Sequence, residues 1–325
     1  MTAQITVIRI GGGVLTETPG GLLTNNLTEP GQYLWLDIAN TPGEEGLNRL
    51  EQLLGLHELA LDNLFDTDRN PRLLEFEDHI LLGARFIKEG PDGLEPSTIG
   101  IVLGKNFLIT AHENRPEIIS TILARVRANG NQVLNTGPDR LLYLVLDTLV
   151  DHYYEILDTL SEGIDAIDDR ASELTQKQDL VLQHDILATK RQLLTIHRAA
   201  TPLRDALLNL RRTNRTLISE ANELYLRDVF EHILQLLDTV ETYREILSST
   251  TELIMTAASN RMNEIMTFLT VFTTFFIPVN FIAGFYGMNL VMPEAKLAMT
   301  YPVVIAIMAA LIAFMFVWFK RKRWL

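Results

Sequence analysis

Two apolar stretches without a single charge close the chain: residues 265–285 (IMTFLTVFTTFFIPVNFIAGF) and 301–319 (YPVVIAIMAALIAFMFVWF). Each is long enough to cross a bilayer as a helix. A buried core helix shares this composition, but two in tandem, the second running into Lys320-Arg321-Lys322-Arg323-Trp324, predict a membrane hairpin. The basic cluster, with Trp318 and Trp324 as interface anchors, predicts a cytoplasmic C-terminal tail. Two spans return the chain to its starting side, so the region before them is expected in the cytoplasm, with only the loop 286–300 facing outward.

Ahead of the spans the pattern changes twice. Residues 5–10 (ITVIRI) and 33–38 (YLWLDI) predict strands, and 44–54 and 56–65 predict helices. Residues 79–87 and 97–110 predict a strand pair around a turn at Glu89–Pro96, and 116–128 predicts a helix. From Asp139 to about Asn260 the only Gly is Gly163 and the only Pro is Pro202, which predicts three long helices with breaks near Gln176–Asp179 and Arg211–Thr216. The expected layout is an α+β membrane protein. An α/β domain spans 1–137, an acidic long-helix region 138–220, and a stalk helix continuing into the first span 221–285. The outer loop is 286–300, and the second span with its basic tail is 301–325.

The first span is not uniformly apolar. Positions 263, 266, 270, 273, 277, 280 and 284 fall on one helical face and read Asn263, Met266, Thr270, Thr273, Ile277, Asn280 and Gly284. Four of the seven are polar and uncharged, and Asn280 is costly in lipid unless it faces protein or water. Thr267 and Thr274 lie one residue off the stripe, and Ser, Thr and Asn also join membrane helices to one another, so the pattern by itself fits either a pore lining or helix packing. Run backward through the stalk, the stripe reads Ser259, Thr256, Glu252, Ser249, Glu245, Thr242, Asp238, Gln235, Glu231 and Asp228, all polar. The adjacent stripe Val229, Ile233, Leu236, Val240, Tyr243, Leu247, Thr250, Ile254 is mostly apolar. One continuous helix with a polar and an apolar side is therefore expected. Two spans cannot enclose a pore, so a pore lined by this stripe requires a symmetric oligomer.

Charge separates along the chain. The total is −13, but residues 1–260 hold 22 bases and 39 acids, a net of −17, while the end is basic. Nucleic acid is thereby disfavoured as a partner and cations favoured. There is no cysteine, so disulfides and thiolate metal sites are excluded. The seven histidines show neither i, i+4 spacing nor HExxH, and Gly11–Gly13 is not followed by GK[ST], so neither a zinc hydrolase nor a nucleotide loop is read. The N-terminal residues 1–13 do not read as a signal peptide. On 151–170, Asp151, Glu155, Asp158, Glu162, Asp165 and Asp169 recur at helical spacing beside an apolar side of Tyr154, Leu157, Leu160, Ile164 and Ile167. This is a solvated face or a cation-attracting surface.

Tyr286-Gly287-Met288-Asn289 directly after the first span, the approach Arg261-Met262-Asn263-Glu264-Ile265-Met266 and the basic close resemble the CorA family of divalent-cation channels. That family's signature is a Gly-Met-Asn triplet after the first of two C-terminal spans. The match is specific over about residues 255–325 and architectural elsewhere. The resemblance implies a homopentameric funnel in the inner membrane, with an α/β/α cytoplasmic domain. It implies that Gly287, Met288 and Asn289 form an outer ring capturing a hydrated cation. It also implies that Asn263, Met266, Leu269, Ile277 and Asn280 stand at pore and gate positions. Asp228 falls near a stalk position where the family binds regulatory Mg²⁺ between subunits. The partner acid is replaced here by Lys88, with Glu89 or Asp92 as substitutes. No cofactor is implied; Mg²⁺, with Co²⁺ or Ni²⁺, is substrate and regulator.

A zinc-moving branch, the ZntB type, resembles the same architecture, and with no His or Cys in either span the ligand chemistry suits either ion. A membrane-anchored sensor or scaffold without conduction is the alternative of another class, against which the polar stripe and the Gly-Met-Asn triplet argue.

Overall fold

The computed structural model describes residues 4–11, 14–19, 32–66, 72–90, 93–113, 116–128, 137–172, 179–210, 217–288 and 299–322. They form two compact units, Met1–Thr250 and Thr251–Leu325.

In the first unit the strands are β1 (Gln4–Gly11), β2 (Val14–Pro19), β3 (Gln32–Ala39), β4 (Leu73–Glu75), β5 (His79–Gly90), β6 (Gly93–Gly104) and β7 (Phe107–His112). They make one sheet ordered β2-β1-β3-β7-β6-β5-β4. Every pairing is antiparallel except the central β3–β7 pair, which is parallel. Buried from Tyr33 to Ala39, β3 must be covered on both faces, as its continuous apolar run requires. On one face Leu34, Leu36, Ile38, Val102 and Ile109 pack with Leu50 of α1 (Glu44–Leu54) and Leu61 and Leu64 of α2 (Glu58–Leu64). A Cβ on Gly100 of β6 would collide with the Leu64 carbonyl, so the glycine is what lets the end of α2 settle on the sheet.

The opposite face is crossed by α4 (Pro138–Ser172) and α5 (Asp179–Leu210), after α3 (Glu117–Ala128). Fully buried Tyr153 of α4 donates its hydroxyl to the Arg85 carbonyl on β5. Helices thus lie on both faces of a mixed sheet, the α/β/α arrangement.

The helix α6 runs unbroken from Glu220 to Tyr286, and α7 covers Thr300–Arg321. At the head of α6 the Asp139 carboxylate of α4 accepts from the Ser219 backbone N–H (2.9 Å) and hydroxyl (2.6 Å), fastening the starts of the two helices together. Val229, Ile233, Leu236, Val240 and Leu247 are fully buried, so the apolar stalk stripe packs within its own chain. Tyr154 donates to the His232 carbonyl at 3.0 Å and Thr250 to Asp168 at 2.9 Å along the same seam.

Three differences from the sequence pattern have local causes. The apolar run 97–110 is two strands, because Lys105-Asn106 turn the chain between Gly104 and Phe107. The β5–β6 hairpin is tighter than a turn over 89–96: pairing continues to Gly90↔Gly93, where Gly93 takes φ +117°, a conformation suited to glycine. The strands β2 and β4 were hidden, one among Gly/Pro punctuation, the other by its length of three residues.

His79 on β5 is buried with Nε2 unpartnered, and its ring stacks on Phe76 at 4.7 Å. Burial, then the nearby His57, lowers its pKa below the ordinary 6.5. The unfolded chain therefore binds the proton more readily, and the stability that neutral His79 allows is lost as pH falls below 6.5. Thermal melts across that range are expected to show a shallower acid-side loss for His79→Phe, which keeps the ring stack without the titration.

Candidate membrane pore and metal sites

In the second unit the first span exposes large apolar side chains all around: Phe268 is 71% exposed and Phe281 73%, as is Phe314 of α7 at 71%. Core helices cannot do this, so the core-helix reading of the two segments fails. Where the two spans meet, the Phe275 ring contacts that of Phe319 at 5.5 Å, and Val271 and Phe319 are buried. Thr267, Thr274, Phe275, Pro278 and Ile282 share that less exposed side of α6.

The predicted stripe lies on the other side. Asn263, Met266, Leu269, Thr270, Thr273, Ile277, Asn280 and Gly284 are all exposed, and nothing lies within 4 Å of where a Gly284 side chain would begin. Its polar members are not equivalent. Thr270 and Thr273 on the stripe, like Thr267 and Thr274 beside it, donate to the carbonyls four residues earlier, those of Met266, Leu269, Asn263 and Thr270, at 2.6–2.8 Å. Their hydroxyls are satisfied inside the helix and tolerate lipid or protein alike. Among the described residues, the side-chain amides of Asn263 and Asn280 have no such partner in the chain. The two asparagines therefore carry the case for a wet or protein-facing side. Pro278, which sequence reading passed over, removes the N–H that would have bonded the Thr274 carbonyl, leaving a backbone acceptor at mid-span.

After α6 the Gly287 N–H bonds the Ala283 carbonyl at 2.9 Å, and a Cβ at Gly287 would lie 2.9 Å from that same oxygen. The closing turn is thus tight enough to favour glycine at the first position of the triplet. Met288 follows, 55% exposed. Asn289 lies outside the described residues, as do Asp92 and Trp324.

On the stalk, Asp228, Glu231, Gln235, Asp238, Thr242, Glu245, Ser249 and Glu252 are exposed, the polar side the pattern predicted. Asp228 has His232 Nε2 at 3.9 Å. Glu89 is exposed near the end of β5 and lines a groove of about 820 Å³ with Glu117, Asp151, His152 and Glu155. Asp228 is not among the residues lining that groove, and the described residues contain no cluster of three or more His, Asp or Glu able to hold a metal. Lys88 has Glu95 at 3.9 Å, an exposed pair.

Sequence reading missed the centre beside Asp228. Arg125 of α3 reaches Asp147 (3.1 Å) and Asp151 (2.5 Å) of α4, drawing one member of the acidic face out of solvent. Burial, then the Asp151 carboxylate, raises the Asp147 pKa against the opposing Arg125 and His232. Glu155, Asp158, Glu162, Asp165 and Asp169 remain a solvated face, and Leu157, Ile164 and Ile167 are buried beneath it.

An α/β/α domain followed by two lipid-compatible helices, one with a polar stripe, is the architecture of a two-span membrane protein. The family model described as CorA-like Mg2+ transporter protein matches residues 30–321, and the chain belongs to that family of divalent-cation transporters. The cobalt/magnesium transport protein CorA of Thermotoga maritima is 32% identical over 294 residues, 90% of this chain and 83% of that protein. The complete structure of the CorA magnesium transporter from Methanocaldococcus jannaschii superposes with a TM-score of 0.83 at 25% identity, covering 100% of this chain and 99% of that one. The ZntB cytoplasmic domain from Vibrio parahaemolyticus gives a TM-score of 0.66 at 16% identity over 80% of this chain, a likeness of fold alone.

The inequality of the polar residues is testable in reconstituted vesicles. Thr273→Val is expected to leave cation flux within roughly twofold, whereas Asn280→Leu lowers it about tenfold, the factor that about 1.4 kcal/mol of barrier represents.

Proposed function

We propose that this chain forms a homopentamer in the inner membrane and conducts hydrated Mg²⁺, with Co²⁺ or Ni²⁺ also accepted, along an axis lined by the Asn263–Gly284 stripe. The observation that carries this reading is the side of α6 away from Phe275, where two amides have no partner among the described residues. A fivefold axis would give both a water-filled path. Absence of any carboxylate within the first span suits an ion that keeps its waters, since Mg²⁺ dehydrates reluctantly. Gly287, Met288 and Asn289 form the outer ring, where amide and carbonyl oxygens accept hydrogen bonds from those waters. Met266, Leu269 and Ile277 form an apolar constriction that gates by dewetting. The α/β/α domain and the basic tail lie in the cytoplasm, supported by the Lys320–Arg323 cluster.

Asp228 and Glu89 are the candidates for a regulatory Mg²⁺ held between neighbouring subunits. Both are exposed, and two carboxylates from different chains would supply a site that neither chain supplies alone.

Ion entry into liposomes, followed with Mg²⁺- and Zn²⁺-sensitive dyes, tests the reading. Mg²⁺ entry abolished in Asn289→Ala is expected. Zn²⁺ entry without Mg²⁺ entry, especially if driven by a pH gradient, would replace the ion, and absence of both would replace conduction with a scaffold role. Leu269→Asn is expected to raise the resting current, because a polar ring at the constriction holds water that an apolar one expels; an unchanged current would remove Leu269 from the gate.

A further inference from the structure

Three aromatic rings stack where the corner between α1 and α2 meets the sheet. The rings of His57 and Phe76 lie 5.1 Å apart at 29°, and those of Phe76 and His79 4.7 Å apart at 15°. The stack runs from an exposed ring, His57, through half-buried Phe76 to His79, which is 4% exposed. His57 is also the N-cap of α2: its Nδ1 accepts from the Leu59 N–H at 3.1 Å, and its carbonyl accepts from the Ala60 N–H at 2.8 Å. A backbone N–H can only donate, so this Nδ1 carries no proton. At the inner end of the stack, Nε2 of His79 is buried without a partner.

Protonation acts against both ends. On Nδ1 of His57 a proton turns the acceptor into a donor facing the Leu59 N–H, and the first turn of α2 loses its cap. On His79 it places a charge in a buried site where the Nε2 proton meets no acceptor. Burial, then the nearby His57, lowers the His79 pKa below the ordinary 6.5, so the fold is stable with the neutral ring and loses that stability as pH falls below 6.5. Asp78 favours the charged ring, but its carboxylate is engaged by Lys105 at 2.5 Å. Glu77 acts on Lys105 in turn, and Glu58 follows His57 in the first turn of α2. A charged His57 gains attraction to the Phe76 face, but at an exposed position that gain does not outweigh the lost cap and the buried charge together.

We propose that the His57–Phe76–His79 stack is a proton-operated latch, which holds the first turn of α2 on the sheet near neutral pH and releases it in acid. Release uncovers Ala60 and Leu61, both buried while the latch is closed. Gly55, at φ +64°, ends α1 two residues before His57 with its own N–H bonded to the Glu51 carbonyl, so α2 can part from the sheet without unwinding α1. The latch lies wholly within the first unit and involves neither span, so it does not depend on which ion is conducted.

Hydrogen exchange of the full-length protein in detergent, read by mass spectrometry at about pH 8 and about pH 5, spans the range over which an imidazole changes charge and tests the latch. After correction for the intrinsic exchange rate at each pH, protection of the fragment carrying the Leu59, Ala60 and Leu61 amides is expected to fall about fivefold or more in acid, the size of a lost cap. Protection of the central strand β3 should stay the same. His57→Asn supplies a capping oxygen that does not titrate, and His79→Phe keeps the ring stack without a charge. Each should reduce the difference between the two pH values, and the double variant should abolish it while α2 stays protected at both. Equal protection of wild-type α2 at both pH values overturns the proposal. So does a loss in acid spread evenly over α2 and β3, which is global unfolding, or a wild-type difference retained by His57→Asn and by the double variant.

Discussion

An amide in hydrocarbon has no solvent to fall back on, and the side-chain amides of Asn263, just before the first span, and Asn280, within it, have no partner among the described residues. Backbone groups there are satisfied by the helix itself, and the threonines bond back onto it. The asparagines cannot be treated that way. They stand on the side of α6 away from Phe275 and the second span, so the surroundings must supply what the chain does not. In the proposed function, that demand is what would be met by assembly around an axis with a path for water and ions.

The same helix is used twice along its length. Through the first unit it buries Val229, Ile233, Leu236, Val240 and Leu247 and keeps its acids outside. Packing holds this stretch, and Asp139 anchors its start through Ser219. Beyond Ile254 its apolar residues are mostly exposed, Val271 excepted, and are lipid-compatible.

Electrostatics follow a comparable division of labour. Most acids of α4 and α6 are exposed and set a broad negative field, which raises cation concentration without selecting an ion. Where an acid is drawn partly inward, as at Asp147, Arg125 accompanies it, and the described residues hold no carboxylate cage for a bare metal. Under the proposed function, selectivity for a divalent ion would rest on neutral oxygen donors acting on its hydration shell, a weaker and more readily reversed interaction than direct ligation.

The sequence by itself determined the two spans, the three long helices, the two sides of α6 and the family, because these depend on long periodic patterns and on a short motif in a fixed place. It also placed β1, β3 and β5 through their apolar runs. It could not show the two-residue turn at Lys105-Asn106, the short strands β2 and β4, or the parallel β3–β7 pair, since register between distant segments leaves little local trace. The tertiary structure alone decided that the polar threonines of the stripe are self-satisfied while the asparagines are not. It likewise gathered Arg125 with Asp147 and Asp151. Those relations join residues far apart in the chain, and side-chain hydrogen bonds and charge neighbourhoods are properties of distance in space, which spacing along a sequence does not encode.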